Sequence, residues 1–143
     1  MQNYRNAFLA LALHHLTAGQ KKMVVKTLDT MNKRIPAKVI AMETGLMYEM
    51  ANLYNRAGSM EKYKEIAAEV EKRALKEMAE NPNDVDSYYN PYRILINIYE
   101  NLKEYKKLTS LWEKIYRIYP NDYNVKANII KYQKLAMKQD RYN

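Results

Sequence analysis

Cysteine is absent from the 143 residues, so neither a disulfide framework nor a thiolate-bound zinc site can form. Glycine and proline are scarce, at 3 and 4. So few turn-formers argue against many short strands and favour long helices joined by short loops. No stretch approaches the roughly 20 apolar residues that span a bilayer. The apolar run from Ala7 to Leu13 follows Arg5 as a signal-peptide core would. It ends at His14-His15 without a good cleavage site, and it is read as a buried helix. Chemistry is thin as well. No G-x-S-x-G, S-x-x-K or Gly-rich phosphate loop occurs. The 2 histidines are neighbours. Adjacent helical residues point about 100° apart and do not chelate together. His15 is expected in the packed core and His14 outside it. The chain is expected to be no enzyme and to hold no metal and no cofactor.

What is present is a globular composition: 48% hydrophobic, 28% charged, with a net charge of +8. The charge is uneven. Residues 1–100 carry 14 Lys/Arg against 12 Asp/Glu, and residues 101–143 carry 10 against 4. The C-terminal third therefore suits an acidic protein, a phosphate-bearing partner or an anionic membrane surface, and equally a plain solvated face. The absence of cysteine fits a cytoplasmic chain.

Breaks fall at Gly19, Pro36, Gly58-Ser59, Asn81 to Asp84, Asn101 to Lys103 and Pro120 to Asp122. Between them the apolar spacing predicts helices at about 4–18, 21–34, 38–57, 60–80, 86–101, 104–119 and 122–138. Asn83, Asp84 or Asp86 is expected to cap the fifth, and Asn121 or Asp122 the seventh. Pro91 either fills a first turn or kinks its helix. Packing is expected to centre on Leu11, Ala12, Leu28, Ala51, Tyr54, Ala67, Leu95, Tyr99, Trp112 and Ile115. Of the 14 tyrosines, Tyr92, Tyr99 and Tyr105 also fall at packing positions. Tyr88, Tyr89, Tyr116, Tyr119, Tyr123 and Tyr132 are left for packing or for a protein or nucleic-acid surface.

The helices repeat. Tyr92, Leu95, Ile96, Tyr99, Leu108, Trp112, Ile115 and Pro120 form one spaced series. Phe8, Leu11, Ala12, His15, Gly19, Val24, Leu28, Met31 and Pro36 form a second. Met47, Met50, Ala51, Tyr54, Gly58, Tyr63, Ala67 and Val70 form a third, irregular one. This spacing resembles the tetratricopeptide-repeat family over about residues 5–120. Ile96 and Leu108 depart from it, since small residues are usual there. A related helical-hairpin solenoid remains open. The resemblance implies a single all-α domain over 1–143, an α-solenoid of about three hairpins (5–36, 38–82, 86–120) with a capping helix at 122–138. A second resemblance lies in LDTMNKRIP (from Leu28) and GLMYEMANLYNRAG (to Gly58). It is to the soluble helical-repeat tail of bacterial O-mannosyltransferase-like multi-pass membrane proteins.

In the tetratricopeptide-repeat family the first helix of each hairpin lines a concave groove. Helical phase then selects Tyr48, Asn52, Asn55 and Arg56 in the middle copy. It selects Arg93, Asn97, Glu100 and Asn101 in the third, and Lys131 and Lys134 in the cap. The first copy offers Leu9, Leu13, Leu16 and Thr17. Asparagine is a mediocre helix former, yet its amide can both donate to and accept from a peptide backbone. Family members that clamp a peptide carboxylate use Asn at the positions of Asn52 and Asn97, but Leu9 and Leu13 stand where Lys and Asn would. The expected peptide-binding set is Asn52, Asn55, Arg56, Arg93, Asn97, Asn101, Lys131 and Lys134. The expected function is a protein- or peptide-binding scaffold with an acidic partner. The alternatives are a regulatory or assembly tail of a membrane-associated protein and an RNA-binding helical repeat, the latter ranked last because no regular pair of base-reading residues recurs.

Overall fold

Helix ends carry the architecture. The computed structural model describes residues 2–142 and holds them in seven helices, with no strand among the described residues. They are α1 (Gln2–Thr17), α2 (Lys21–Arg34), α3 (Thr44–Arg56), α4 (Met60–Glu80), α5 (Pro91–Asn101), α6 (Tyr105–Ile118) and α7 (Tyr123–Arg141). The fold is all-α and built of helical hairpins.

Three helices stop in the same way. Gly19 and Gly58 adopt φ of 73° and 83°, and Lys103 adopts 55°. At each, the left-handed residue donates to a carbonyl three back: Gly19 to Leu16, Gly58 to Asn55, Lys103 to Glu100. The next amide donates to a carbonyl five back: Gln20 to His15, Ser59 to Tyr54, Glu104 to Tyr99. This pair of bonds satisfies carbonyls that a helix end leaves orphaned and reverses the chain. Two other helices stop before proline. Ile35 (φ −130°, ψ 71°) precedes Pro36, and Tyr119 (φ −123°, ψ 69°) precedes Pro120. A proline bars its predecessor from the helical region.

Contacts divide the chain into two compact units, Met1–Arg73 and Ala74–Asn143, with the boundary inside α4. In the first unit α1 packs on α2 and α3, and α2 on α3. Its core includes Ala12, Leu28, Met31, Met50, Ala51 and Tyr54 from these helices, with Tyr63, Ala67 and Val70 from α4. Arg5 is fully buried beside them. Its guanidinium donates to the carbonyls of Ala41 (2.8 Å), Ile35 (3.3 Å) and Ile40. In the second unit α6 packs on α5 and α7. Tyr92, Leu95, Ile98, Tyr99, Leu108 and Ile115 fill its interior, closed by Val125 and Tyr132 of α7.

Several expectations need correction. Residues 38–43 are not helical: Val39 and Ile40 both donate to Pro36 O in a tight turn, and Arg5 takes the carbonyls a helix would use. The fifth helix starts at Pro91, not near 86. Its cap is Asn90, not Asn83, Asp84 or Asp86. Asn90 accepts from Arg93 N while its own amide donates to Val85 O and Ser87 O. Pro91 fills the first turn, where its missing N–H costs nothing. Asp84 instead accepts from Ser87 N (3.2 Å) and Ser87 Oγ (2.7 Å) in the preceding loop. Leu11 is 46% exposed, because α1 turns Arg5 and Ala12 inward and Leu11 lies off that side. Trp112 is half-buried, with its Nε1 shielded and without an acceptor among the described residues. Asp122 does cap α7, accepting from Asn124 N and Val125 N.

Two stability outcomes follow. Arg5→Ala should lower unfolding free energy by about 3–5 kcal/mol, since charged hydrogen bonds to buried carbonyls are lost. Arg5→Lys should fall between, because a single ammonium cannot span three carbonyls in one plane. Urea titration checks both; an Arg5→Ala midpoint equal to the parent's would refute the role. Lys103→Gly should raise the midpoint, because a non-glycine residue in the left-handed region costs about 1 kcal/mol. A lower midpoint would show that Lys103 contributes more through its side chain than it loses in backbone strain.

Candidate functional site

In the first unit the candidate residues lie along α3. Its core side presents Met47, Met50, Ala51 and Tyr54. Tyr48, Asn52, Asn55 and Arg56 recur at helical spacing on the other side, half-buried except for the exposed Arg56. The rotation of α3 is set by Tyr54. Its hydroxyl donates to Asp29 Oδ1 (2.6 Å) and accepts from Asn32 Nδ2 (3.2 Å), both on α2. Burial, and then the Asp29 carboxylate, push the Tyr54 hydroxyl well above its ordinary value of 10.0. Asn52 and Asn55 make no side-chain hydrogen bond to a described residue. On α1, Leu9 and Leu16 are half-buried, while Leu13 and Thr17 are exposed.

In the second unit the candidate residues lie on α5 and α7. Arg93 is exposed but held: its guanidinium donates to Tyr88 O (3.3 Å) and lies 4.6 Å from the Tyr88 ring centroid. Tyr88 in turn meets Tyr89 edge to face, with centroids 4.7 Å apart. Asn101 Nδ2 donates to Asn97 Oδ1 (3.3 Å), one turn apart on α5. Glu100 accepts from the Tyr132 hydroxyl of α7. Burial and that carboxylate push Tyr132 well above 10.0. Tyr132 also stacks on Tyr105, 6.2 Å away at 18°. Lys131 lies over the Tyr132 ring at 5.0 Å. The Tyr132–Glu100 bond ties this part of α7 to α5. Lys134 is exposed and lies about 60° further round α7.

Arg93, Asn97 and Asn101 thus share one side of α5 in the second unit, where Lys131 rests on Tyr132 of α7, and Asn52, Asn55 and Arg56 share one side of α3 in the first. This arrangement offers amides that can donate and accept, beside cations steadied on aromatic rings. Among the described residues no cluster of three or more metal-ligating side chains occurs. His15 is half-buried rather than core, and its Nδ1 pairs with Gln20 Oε1 at 2.7 Å.

Two clefts were not foreseen. One, of about 690 Å³, opens in the first unit over Met47, Met50 and Ile66, with Lys62, Glu65 and Arg73 at its rim. Arg73 also donates to Met42 O and pairs with Glu69 at 2.9 Å. The other, of about 420 Å³, lies in the second unit between Leu75, Met78 and Tyr92, with Lys114 and Arg117 beside it. None of the eight predicted site residues lines either cleft. Helical phase identifies faces, and clefts depend on how far neighbouring helices stand apart.

No family model matches the chain, and a search of curated proteins finds no match.

Tyr54 and Tyr132, like Tyr92 raised by burial, make stability fall in alkali. Each proton is held more tightly in the folded than in the unfolded chain. Their contribution is therefore complete below about pH 10 and drains away as pH rises past it. Urea midpoints of the parent should drop between about pH 9.5 and 12 more steeply than those of Tyr54→Phe/Tyr132→Phe. Parallel slopes would show that neither Tyr54 nor Tyr132 is shifted, since Tyr92 contributes equally to both proteins.

Proposed function

We propose that the chain is a protein-binding module of the tetratricopeptide-repeat kind that takes acidic peptide segments on the exposed sides of α3 and α5. The repeat reading is supported by the shared hairpin closures at Gly19, Gly58 and Lys103, and by the matching stops before Pro36 and Pro120. The observation that carries the binding reading is the run of Arg93, Asn97 and Asn101 along one side of α5, with Lys131 on α7 next to the Tyr132 that bonds Glu100 of α5. Long-range attraction comes from the two cations, and direction comes from the amides. Arg93 and Lys131 each rest on a tyrosine ring, which limits the side-chain entropy lost when a carboxylate arrives. On α3 the uncommitted amides of Asn52 and Asn55 can hold a peptide backbone whatever its side chains, and Arg56 adds a charge. A binding scaffold of this kind needs no cofactor and performs no chemistry on its partner.

Acidic segments displayed on a peptide array supply the probe. A captured segment is titrated against three proteins at low and moderate salt. Arg93→Glu/Lys131→Glu should weaken binding mostly at low salt, because exposed charges are screened within about 8–10 Å at moderate ionic strength. Asn52→Ala/Asn55→Ala should weaken it at both salts, by roughly 0.5–1.5 kcal/mol for each hydrogen bond lost. Parent-like affinity in both variants would remove these faces as the site. Capture of single-stranded RNA with a steep salt slope, and of no acidic peptide, would move the function to nucleic acid.

A further inference from the structure

The outward side of α7 is used by nothing described above. Val125, Tyr132 and Ala136 turn inward against the unit. Tyr123, Ile130 and Met137, seven residues apart, form a line on the opposite side. They are 83%, 46% and 61% exposed. Lys126, Lys134, Lys138 and Arg141 surround this line, and all are exposed. At about 100° per residue, Lys126 falls on one flank of the apolar line and Lys138 on the other, with Lys134 and Arg141 near its centre. None of these four makes an ion pair with a described residue. The helix has one acid, Asp140, and it is tied to Lys106 of α6 at 3.1 Å. The face is therefore cationic without internal compensation, and it carries an apolar line that water solvates poorly.

From this we infer that the outward face of α7 docks on an anionic lipid bilayer, with Ile130 and Met137 entering the headgroup boundary and the surrounding cations meeting lipid phosphates and carboxylates. Charge complementarity selects an anionic partner. The kind of cation selects a lipid surface over a folded acidic protein. Three of the four free cations are lysines, point charges without the planar fork that matches a fixed carboxylate in two places. Laterally mobile headgroups satisfy such charges without matched positions. The cations also spread over a wide arc of the helix, broader than the stripe one partner helix covers and suited to a plane. Long Lys and Arg side chains can keep their charged ends at headgroup level while the apolar line enters below them. Tyr123 at the start of α7 and Tyr142 just past its end are both strongly exposed, and tyrosine favours the membrane–water boundary.

The test uses the full chain with vesicles of phosphatidylcholine alone, and with about a third of the lipid replaced by phosphatidylserine. Cosedimentation is expected with the anionic vesicles only, and it should weaken as salt is raised. Lys126→Glu/Lys138→Glu/Arg141→Glu should lower partitioning by at least about tenfold at low salt. Ile130→Ser/Met137→Ser keeps every charge and should also lower it, including at moderate salt. Circular dichroism confirms that each variant is folded; a variant that is not is replaced by the corresponding glutamine or alanine changes. Arg93 and Lys131 are untouched, so peptide capture by the α3 and α5 strips should persist in both variants. Equal binding to the two vesicle types, or no loss in either variant, overturns the inference. So does an absence of vesicle binding together with capture of an acidic helical peptide through these same residues, which would make the partner a protein.

Discussion

A helix that is to fold back on its neighbour must first stop, and stopping leaves carbonyls without partners. Here the same left-handed residue resolves that problem three times, after α1, α3 and α5. The amides that follow Leu16, Asn55 and Glu100 turn back onto carbonyls of the last turn, and the chain reverses within a few residues. Everything apolar in the hairpins depends on this. Val24 and Leu28 meet Ala12 only because α2 starts immediately after the closure, and Leu108 enters its interior only because α6 does the same. Glycine supplies the conformation freely at two sites. At the third a lysine adopts it, which means that packing of α6 and α7 in that unit over-determines the backbone. Gln139 of α7 adds to this by donating to the Lys103 carbonyl at 3.1 Å.

Much of this was legible beforehand. The spacing that joins Phe8, Ala12, Leu28 and Pro36 recurs in Tyr92, Ile96, Trp112 and Pro120, and the two stretches share backbone angles at their helix stops. Punctuation and apolar period are local properties, and local properties survive in a single sequence. What was illegible was non-local. Arg5 reads as a surface charge before an apolar run, yet it is buried because three carbonyls of the α2–α3 connection, some thirty residues away, converge on it. Its burial and the loss of helix over 38–43 are one event: the turn frees the carbonyls, and the guanidinium accepts the cost of leaving water because they are there. Asn90 was missed for a related reason. Three nearby Asn and Asp residues had equal claims as caps, and only the backbone restriction imposed by Pro91 decides among them.

The candidate strips show the same division. That Asn52 and Asn55 share a side of α3, and Arg93 and Asn97 a side of α5, follows from helical period alone. That Arg93 is steadied by Tyr88 does not, since Tyr88 sits in an irregular loop whose course is set by Asp84, Ser87 and Asn90. Tyr132 falls likewise outside the repeat pattern, though its bond to Glu100 ties α7 to α5. A polar network built from loop and cap residues leaves no period to read. It converts exposed long side chains, which would otherwise sample many rotamers, into positioned ones.

The last helix carries two demands on one surface. Packed on α6, it buries Val125, Tyr132 and Ala136. Its other side meets no helix among the described residues, and solvation there favours charges with apolar residues kept inside. The lysines and Arg141 answer that demand. Ile130 and Met137 answer it only in part: each leaves apolar area in water, though Met137 also borders a cleft against Lys106 and Thr109 of α6. Their placement in line with Tyr123, among cations that find no acid among the described residues, leaves about half of each side chain in water. Such an arrangement becomes favourable when the face is covered by something both apolar and anionic, and an anionic bilayer presents both at the depth of one helix.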